Sequence, residues 1–280
     1  MSYNYEPSRI KKFFDESGME EWLRLEKTPR GMVSFHVHNH YLRKYIRSGD
    51  QVFEIGSGPG RFTIELAKIG ATISVADISS EQLRLNEIKV QEADYEKSIL
   101  WRRQMDITDL SEIPNDSFDA TVAYGGLLSY VFELVDNALS EMLRITKPGG
   151  VALLSVMSTL GSTQFYLSSI FKEIDEIGLE EFQKVFDTGD VTGKLAAGDH
   201  YCRMYRWSGF KSILKNHPCG ILESSACAYL SNSVYTEEVL KKVMEDSEKW
   251  QTFLQWEIEA CRELGAIDGG THMIVVLQRK

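Results

Sequence analysis

Glu54-Ile55-Gly56-Ser57-Gly58-Pro59-Gly60-Arg61-Phe62-Thr63 is the stretch that decides how this chain folds. It begins within the run Gln51–Gly56, which reads as a strand. It leads into Arg61–Ile69, where Phe62, Leu66 and Ile69 recur at helical spacing. Glycines between a strand and a helix permit positive φ and let a ligand approach the backbone. The amides at the helix start can then donate to a polar ligand. A dinucleotide fingerprint would put its third glycine at position 61, which is Arg61; here the third glycine is Gly60. No Gly-Lys-Ser/Thr follows, so the loop is not a P-loop. The spacing points to an adenosine-bearing ligand other than NAD or the phosphates of ATP.

Moving outward, the β-branched run Ala71–Asp77 is the next strand, and Ser79–Gln91 a helix with Ser80 as N-cap. Asp77 comes 23 residues after Glu54, at the strand end, where a carboxylate can accept both hydroxyl protons of a ribose. Ser98–Gln104 is a third strand, followed by Asp106, placed to accept from an adenine amino group while the amide of Ile107 faces a ring nitrogen. Phe118–Tyr124 is a strand, Val135–Ile145 a helix, Lys147–Gly150 a helix stop and turn, and Val151–Val156 a buried strand. This alternation implies a parallel sheet with helices on both faces.

The flanks differ. Residues 1–48 predict two helices, Ser8–Lys27 and Met32–Arg47, and residues 159–218 read as irregular, with six scattered glycines. Gly220–Leu230 resembles a strand, Thr236–Leu264 one long helix and Thr271–Gln278 a terminal strand. Eight aromatics fall in residues 49–158 against seventeen in 1–48 and 159–218 together, so the flanks read either as helices packed on the core or as an aromatic-lined substrate cover, and both can hold.

Composition narrows the function. With 31 Lys and Arg against 41 Asp and Glu, the net charge of −10 argues against gripping a phosphate backbone. No apolar run approaches the roughly 18 residues of a membrane span. Cys202, Cys219, Cys227 and Cys261 form no C-x-x-C pair. They read as reduced thiols, and with an N-terminus unlike a signal peptide the expected location is cytoplasmic.

Taken together, Glu54–Gly60, the strand-end Asp77, Asp106–Leu110, Asp116–Ala120 and Leu143–Gly150 resemble class I S-adenosylmethionine-dependent methyltransferases, on the small-molecule branch that includes quinone-biosynthesis enzymes. The resemblance covers about residues 49–158. It implies a Rossmann-like, mostly parallel sheet of seven strands, the last of them antiparallel. It also implies one domain of four parts: an N-terminal helical cap (1–48), the cofactor core (49–158), a substrate-cover insertion (159–218) and closing elements (219–280). The cofactor would be S-adenosylmethionine, contacted by Glu54, Gly56, Ser57, Gly58 and Gly60 at the methionine part. Asp77 and Ile78 would take the ribose, Asp106 and Ile107 the adenine. Ala123 and Tyr124 would border the sulfonium. Tyr124-Gly125-Gly126 stands where nucleobase amine methyltransferases carry an Asn/Asp-Pro-Pro-aromatic motif. The expected partner is therefore a small molecule, with no nucleic acid and no membrane; the alternatives are protein or RNA methylation, or a non-catalytic nucleotide-binding module of the same fold.

Methyl transfer from a sulfonium needs alignment and water exclusion, and a base only where the acceptor must lose a proton. The candidate bases are His200, in the insertion, and His36 and His40, which share one face of a helix while His38 points elsewhere. These histidines lack the matched third ligand of a metal site. His272 reads as a core residue of the terminal strand, and Arg24 as a solvated helix position or a contact to the donor's carboxylate. Tyr3 and Tyr5 can close over the cofactor if the N-terminus folds inward.

Overall fold

The computed structural model describes residues 4–280. Among the described residues are nine strands: β1 Gln51–Ile55, β2 Thr72–Asp77, β3 Ile99–Gln104, β4 Phe118–Ala123, β5 Thr146–Met157, β6 Asp190–Val191, β7 Cys202–Arg203, β8 Cys219–Cys227 and β9 His272–Arg279. Seven form one sheet in the order β3-β2-β1-β4-β5-β9-β8, while β6 and β7 make a small ribbon. The strands from β1 to β5 pair in parallel, and β9 runs antiparallel to both its neighbours, β5 and β8. Order reverses at β1, which has β2 on one side and β4 on the other. The crevice beyond the carboxyl ends of these strands is where ligands bind in sheets of this kind.

Both faces of the sheet are covered at its centre, so the central strands β1, β4, β5 and β9 are largely buried. Phe53 and Ile55 of β1 pack on one face with Leu139 and Met142 of α6 (Val135–Ile145) and Phe210 of α9 (Trp207–Leu214). Val52 points to the other face. There it meets Leu66 of α4 (Arg61–Ile69), Val37 and Tyr41 of α3 (Pro29–Tyr45) and Leu254 of α11 (Ser247–Cys261). Helix α3 is thus a layer of the core, not merely a cap.

Several expectations are corrected. The first N-terminal helix is two, α1 (Pro7–Ser17) and α2 (Met19–Leu23), because the chain turns at Gly18 with φ of +49°. Ser79, not Ser80, caps α5 (Ser80–Glu92), accepting from the Gln82 N–H at 3.0 Å. Lys147–Gly150 ends a helix as expected but forms an irregular start to β5, where pairing jumps from Thr146 to Val151. The stretch after residue 159 is ordered, as α7 (Thr159–Ile177), α8 (Leu179–Thr188), the β6–β7 ribbon and α9. Gly161 does not break α7: a Cβ there would come 1.8 Å from the Gly270 carbonyl oxygen, so its role is close approach. The C-terminal helix is also two, α10 (Glu237–Met244) and α11, since Asp246 caps the second by accepting from the Glu248 and Lys249 amides.

Candidate active site

β1 ends at Ile55 and the chain turns through Gly56, Gly58 and Gly60, with φ of +68°, +52° and +96°. A side chain would be strained at all three. At Gly56 a Cβ would also press on Leu127 at 2.9 Å. Beneath the loop, Glu54 is buried, and its Oε2 accepts from the Thr63 hydroxyl at 2.6 Å; that hydroxyl accepts from the Asn86 amide at 2.8 Å. Burial, aided by Asp77 and opposed by Thr63, pushes the Glu54 pKa up to about 8. Glu54 therefore ties β1 to α4 and α5 from below instead of facing a ligand.

Asp77, at the end of β2, is joined to the loop. Its Oδ2 accepts the Gly58 N–H and its Oδ1 the Ser79 N–H, each at 2.8 Å. Burial raises its pKa to about 6 against those two bonds, with Glu21 and Asp15 adding to the rise. Each oxygen keeps a further acceptor site, so the carboxylate can take two hydroxyl donors.

Gly56, Ser57, Gly58, Asp77 and Ile78 form one wall of a cleft of about 640 Å³, part of it open to solvent. Tyr124, Gly125, Leu127 and Tyr130 form another, and Phe14, Glu21 and Arg24 close over it from the N-terminal helices. Arg24 donates from Nε to Glu21 at 3.0 Å, and its Nη2 lies 3.7 Å from where a Gly125 Cβ would stand. Burial works against its charge, but Glu21 foremost holds its pKa above the ordinary value. Arg24 is exposed and also lines the cleft, which suits either of its sequence readings.

The histidines sort differently from their sequence pattern. His200 donates to or accepts from the Tyr130 hydroxyl at 2.8 Å and packs on Phe13, which sets it behind the cleft wall. His36 and His40 do not line the cleft; His40 lies near Lys44, Arg262 and Glu223. The inward member of α3 is His38, edge-on to Tyr124 with ring centroids 4.6 Å apart and within 3.4 Å of the Cys227 sulfur. Its Nδ1 bonds the Ser34 carbonyl at 2.8 Å, while Nε2 is buried with no partner. Burial brings its pKa down to about 4, with Arg24 contributing and Ser34 opposing. His272 is a half-buried residue, not one of the core. As the first residue of the antiparallel β9, it lies at the carboxyl edge of the parallel strands, its Nε2 3.2 Å from a Cβ built on Gly126. Burial, then Arg24, His38, Arg30 and His200, drive its pKa well below 6.5.

Gly60 and Ala123 sit behind the cleft, Gly60 against Asn86 and Ala123 in the core. Asp106 is taken up within the protein: Oδ1 accepts from Thr108 and Oδ2 from the Tyr5 hydroxyl at 2.8 Å, and neither it nor Ile107 lines the cleft. An adenine at Asp106 would have to displace or share the Tyr5 bond. Tyr3 lies outside the described residues. All four cysteines are buried free thiols. No cluster suited to a metal ion occurs among the described residues, and no helix there is long and apolar enough to cross a membrane. The loop, the Asp77 carboxylate and the partnerless Gln82 Oε1 beside Gly58 suit a polar adenosine-bearing ligand.

Comparison with known proteins agrees. Residues 53–154 match the family model described as methyltransferase domain. The chain is 28% identical over 179 residues to a probable methyltransferase, ltbC, of Aspergillus luteorubrus, covering 61% of this chain and 60% of that protein. It is 33% identical over 141 residues to demethylmenaquinone methyltransferase of Mycobacterium marinum, covering 48% of this chain and 55% of that one. The matched region thus spans little more than half of these relatives. Among solved structures, a SAM-dependent methyltransferase from Methanosarcina mazei superposes with a TM-score of 0.56 at 16% identity, covering 85% of this chain and 96% of that one. Glycine loop, strand order and domain match agree that the chain is similar to class I S-adenosylmethionine-dependent methyltransferases, the quinone-biosynthesis types among them.

Proposed function

We propose that the protein transfers a methyl group from S-adenosylmethionine to a small organic acceptor by in-line displacement, releasing S-adenosylhomocysteine. The observation that carries this reading is continuity. One cleft runs from the left-handed glycine loop and Asp77 to Tyr124 and Gly125, next to the edge where His272 stands.

When bound, the donor supplies an already activated methyl group; the chain's task is placement. Gly56–Gly58 and Asp77 would hold the nucleoside end, and Arg24 the methionine carboxylate. Tyr124, Tyr130 and Phe14 exclude water and align the acceptor behind the methyl carbon. A proton displaced from the acceptor can pass to a neutral imidazole, and His272 is neutral and next to the cleft. A net charge of −10 favours a small molecule over RNA.

The test is a panel of small acceptors incubated with donor labelled in the methyl group, followed by location of the label. Label in a small product supports the reading. Tight binding of S-adenosylhomocysteine with no transfer to any acceptor, or transfer only to protein or RNA, contradicts it.

A further inference from the structure

Beyond Gly126 the cleft's neighbourhood holds a positive charge that no carboxylate among the described residues pairs with directly. The half-buried Arg30, at the start of α3, donates from Nη2 to the Thr271 hydroxyl at 2.5 Å, and its guanidinium lies 4.1 Å from the centre of the Phe165 ring. Its Nε is buried with no hydrogen-bond partner. Among the described residues, no carboxylate forms an ion pair with it. Two acids act on it from a distance, Glu237 and Glu257. Glu257 is already engaged by the backbone N–H groups of Tyr229, Leu230 and Ser231. Arginine stays charged under all ordinary conditions, and an unpaired charge inside a protein is costly. Such a residue signals a missing anion.

Thr271 joins this charge to the reaction edge. Its oxygen accepts from Arg30 and lies 3.2 Å from His272 Nδ1. With the Nδ1 proton donated to the threonine oxygen, His272 keeps Nε2, the atom beside Gly126, free to accept a proton. The sum of charges limits the ligand. Arg24 is matched by Glu21, and His38 and His272 are neutral, so one positive charge remains. A flat guanidinium with one unmatched charge suits a carboxylate better than a doubly charged phosphate. Phe165 beside it offers a surface for an apolar body.

We propose that the acceptor is a carboxylic acid with a flat apolar body, its carboxylate held by Arg30 beside Thr271 and His272. This names the substrate class of the site and rests on the methyl-transfer reading above.

The test uses benzoate and cinnamate against benzamide and cinnamamide, with Kd values measured by ligand-observed NMR on the full chain, with and without S-adenosylhomocysteine. Wild type should bind each acid about tenfold or more tightly than its amide, the worth of a charge-assisted hydrogen bond. Arg30→Gln should abolish the preference and Arg30→Lys keep part of it, with S-adenosylhomocysteine affinity unchanged in both. Without ligand, Arg30→Gln should melt no lower than wild type, because it removes an unbalanced charge. Equal or undetectable binding of acids and amides by wild type, or a preference that survives Arg30→Gln, overturns the proposal. So does a lowered melting temperature combined with lost S-adenosylhomocysteine binding, which marks Arg30 as structural. Absence of S-adenosylhomocysteine binding in wild type counts against the donor reading alone, since acid preference is also measured without it.

Discussion

The backbone N–H of Gly58 donates to the Asp77 carboxylate at 2.8 Å, so the glycine loop and the acid at the end of β2 form one unit. A ligand that engages Asp77 also feels the loop, and a change in the charge of Asp77 alters both.

This gives a pH dependence. The folded pKa of Asp77, about 6, lies above its ordinary 3.8. For the ligand-free fold, its stabilising contribution is complete below the ordinary value and lost as pH rises through about 6. A ribose diol selects the charged form, so donor affinity is full above pH 6 and falls below it. Titrations of S-adenosylhomocysteine at about pH 7.5 and about pH 5 should show weaker binding at the lower pH, and Asp77→Asn should remove most of that difference.

His38 works in the opposite sense. Its folded pKa of about 4 lies below the ordinary 6.5, so its contribution is present above 6.5 and lost as pH falls toward 4. The stability gap between wild type and His38→Gln should shrink on acidification, by on the order of 3 kcal/mol between those limits. Urea unfolding at several pH values measures this. The same experiment on His36→Ala should show a smaller pH dependence, since its side chain is less deeply placed.

Arg24 is assigned to the donor's carboxylate. Arg24→Gln should weaken S-adenosylhomocysteine binding by about 1.5–3 kcal/mol. It should leave adenosine, which lacks the carboxylate, bound as in wild type. Calorimetry of both ligands separates this role from a general loss of structure.

Gly161 and Gly178 make a matched pair. A Cβ at Gly161 would stand 1.8 Å from the Gly270 oxygen, whereas Gly178 has φ of +107° and nothing within 4 Å. Gly161→Ala must push the start of α7 off the 269–270 turn and should cost about 3 kcal/mol or more. Gly178→Ala carries backbone strain alone and should cost about 1–2 kcal/mol. Thermal melts of the two variants give the order.

The parts legible in the sequence are those fixed by local rules. The strands and helices of residues 51–157 lie within a residue or two of their expected ends, apart from β5, because apolar period and glycine position depend on neighbours along the chain. The readings that failed depend on approach through space. Gly161 looks like a breaker until the Gly270 carbonyl is seen against it. Spacing separates His38 from His36 and His40, but only the packing of α3 against Tyr124 shows which of the two faces turns inward. His272 had a usable signal: an antiparallel last strand must begin at the edge where the parallel strands end.

The most direct measurement is calorimetric titration of S-adenosylhomocysteine into wild type and Asp77→Ala. The account predicts one-to-one binding by wild type, weakened in the folded variant by roughly tenfold or more, the worth of a lost charge-assisted hydrogen bond. Wild-type protein that does not bind it, or a folded Asp77→Ala variant that binds it equally well, would contradict the account.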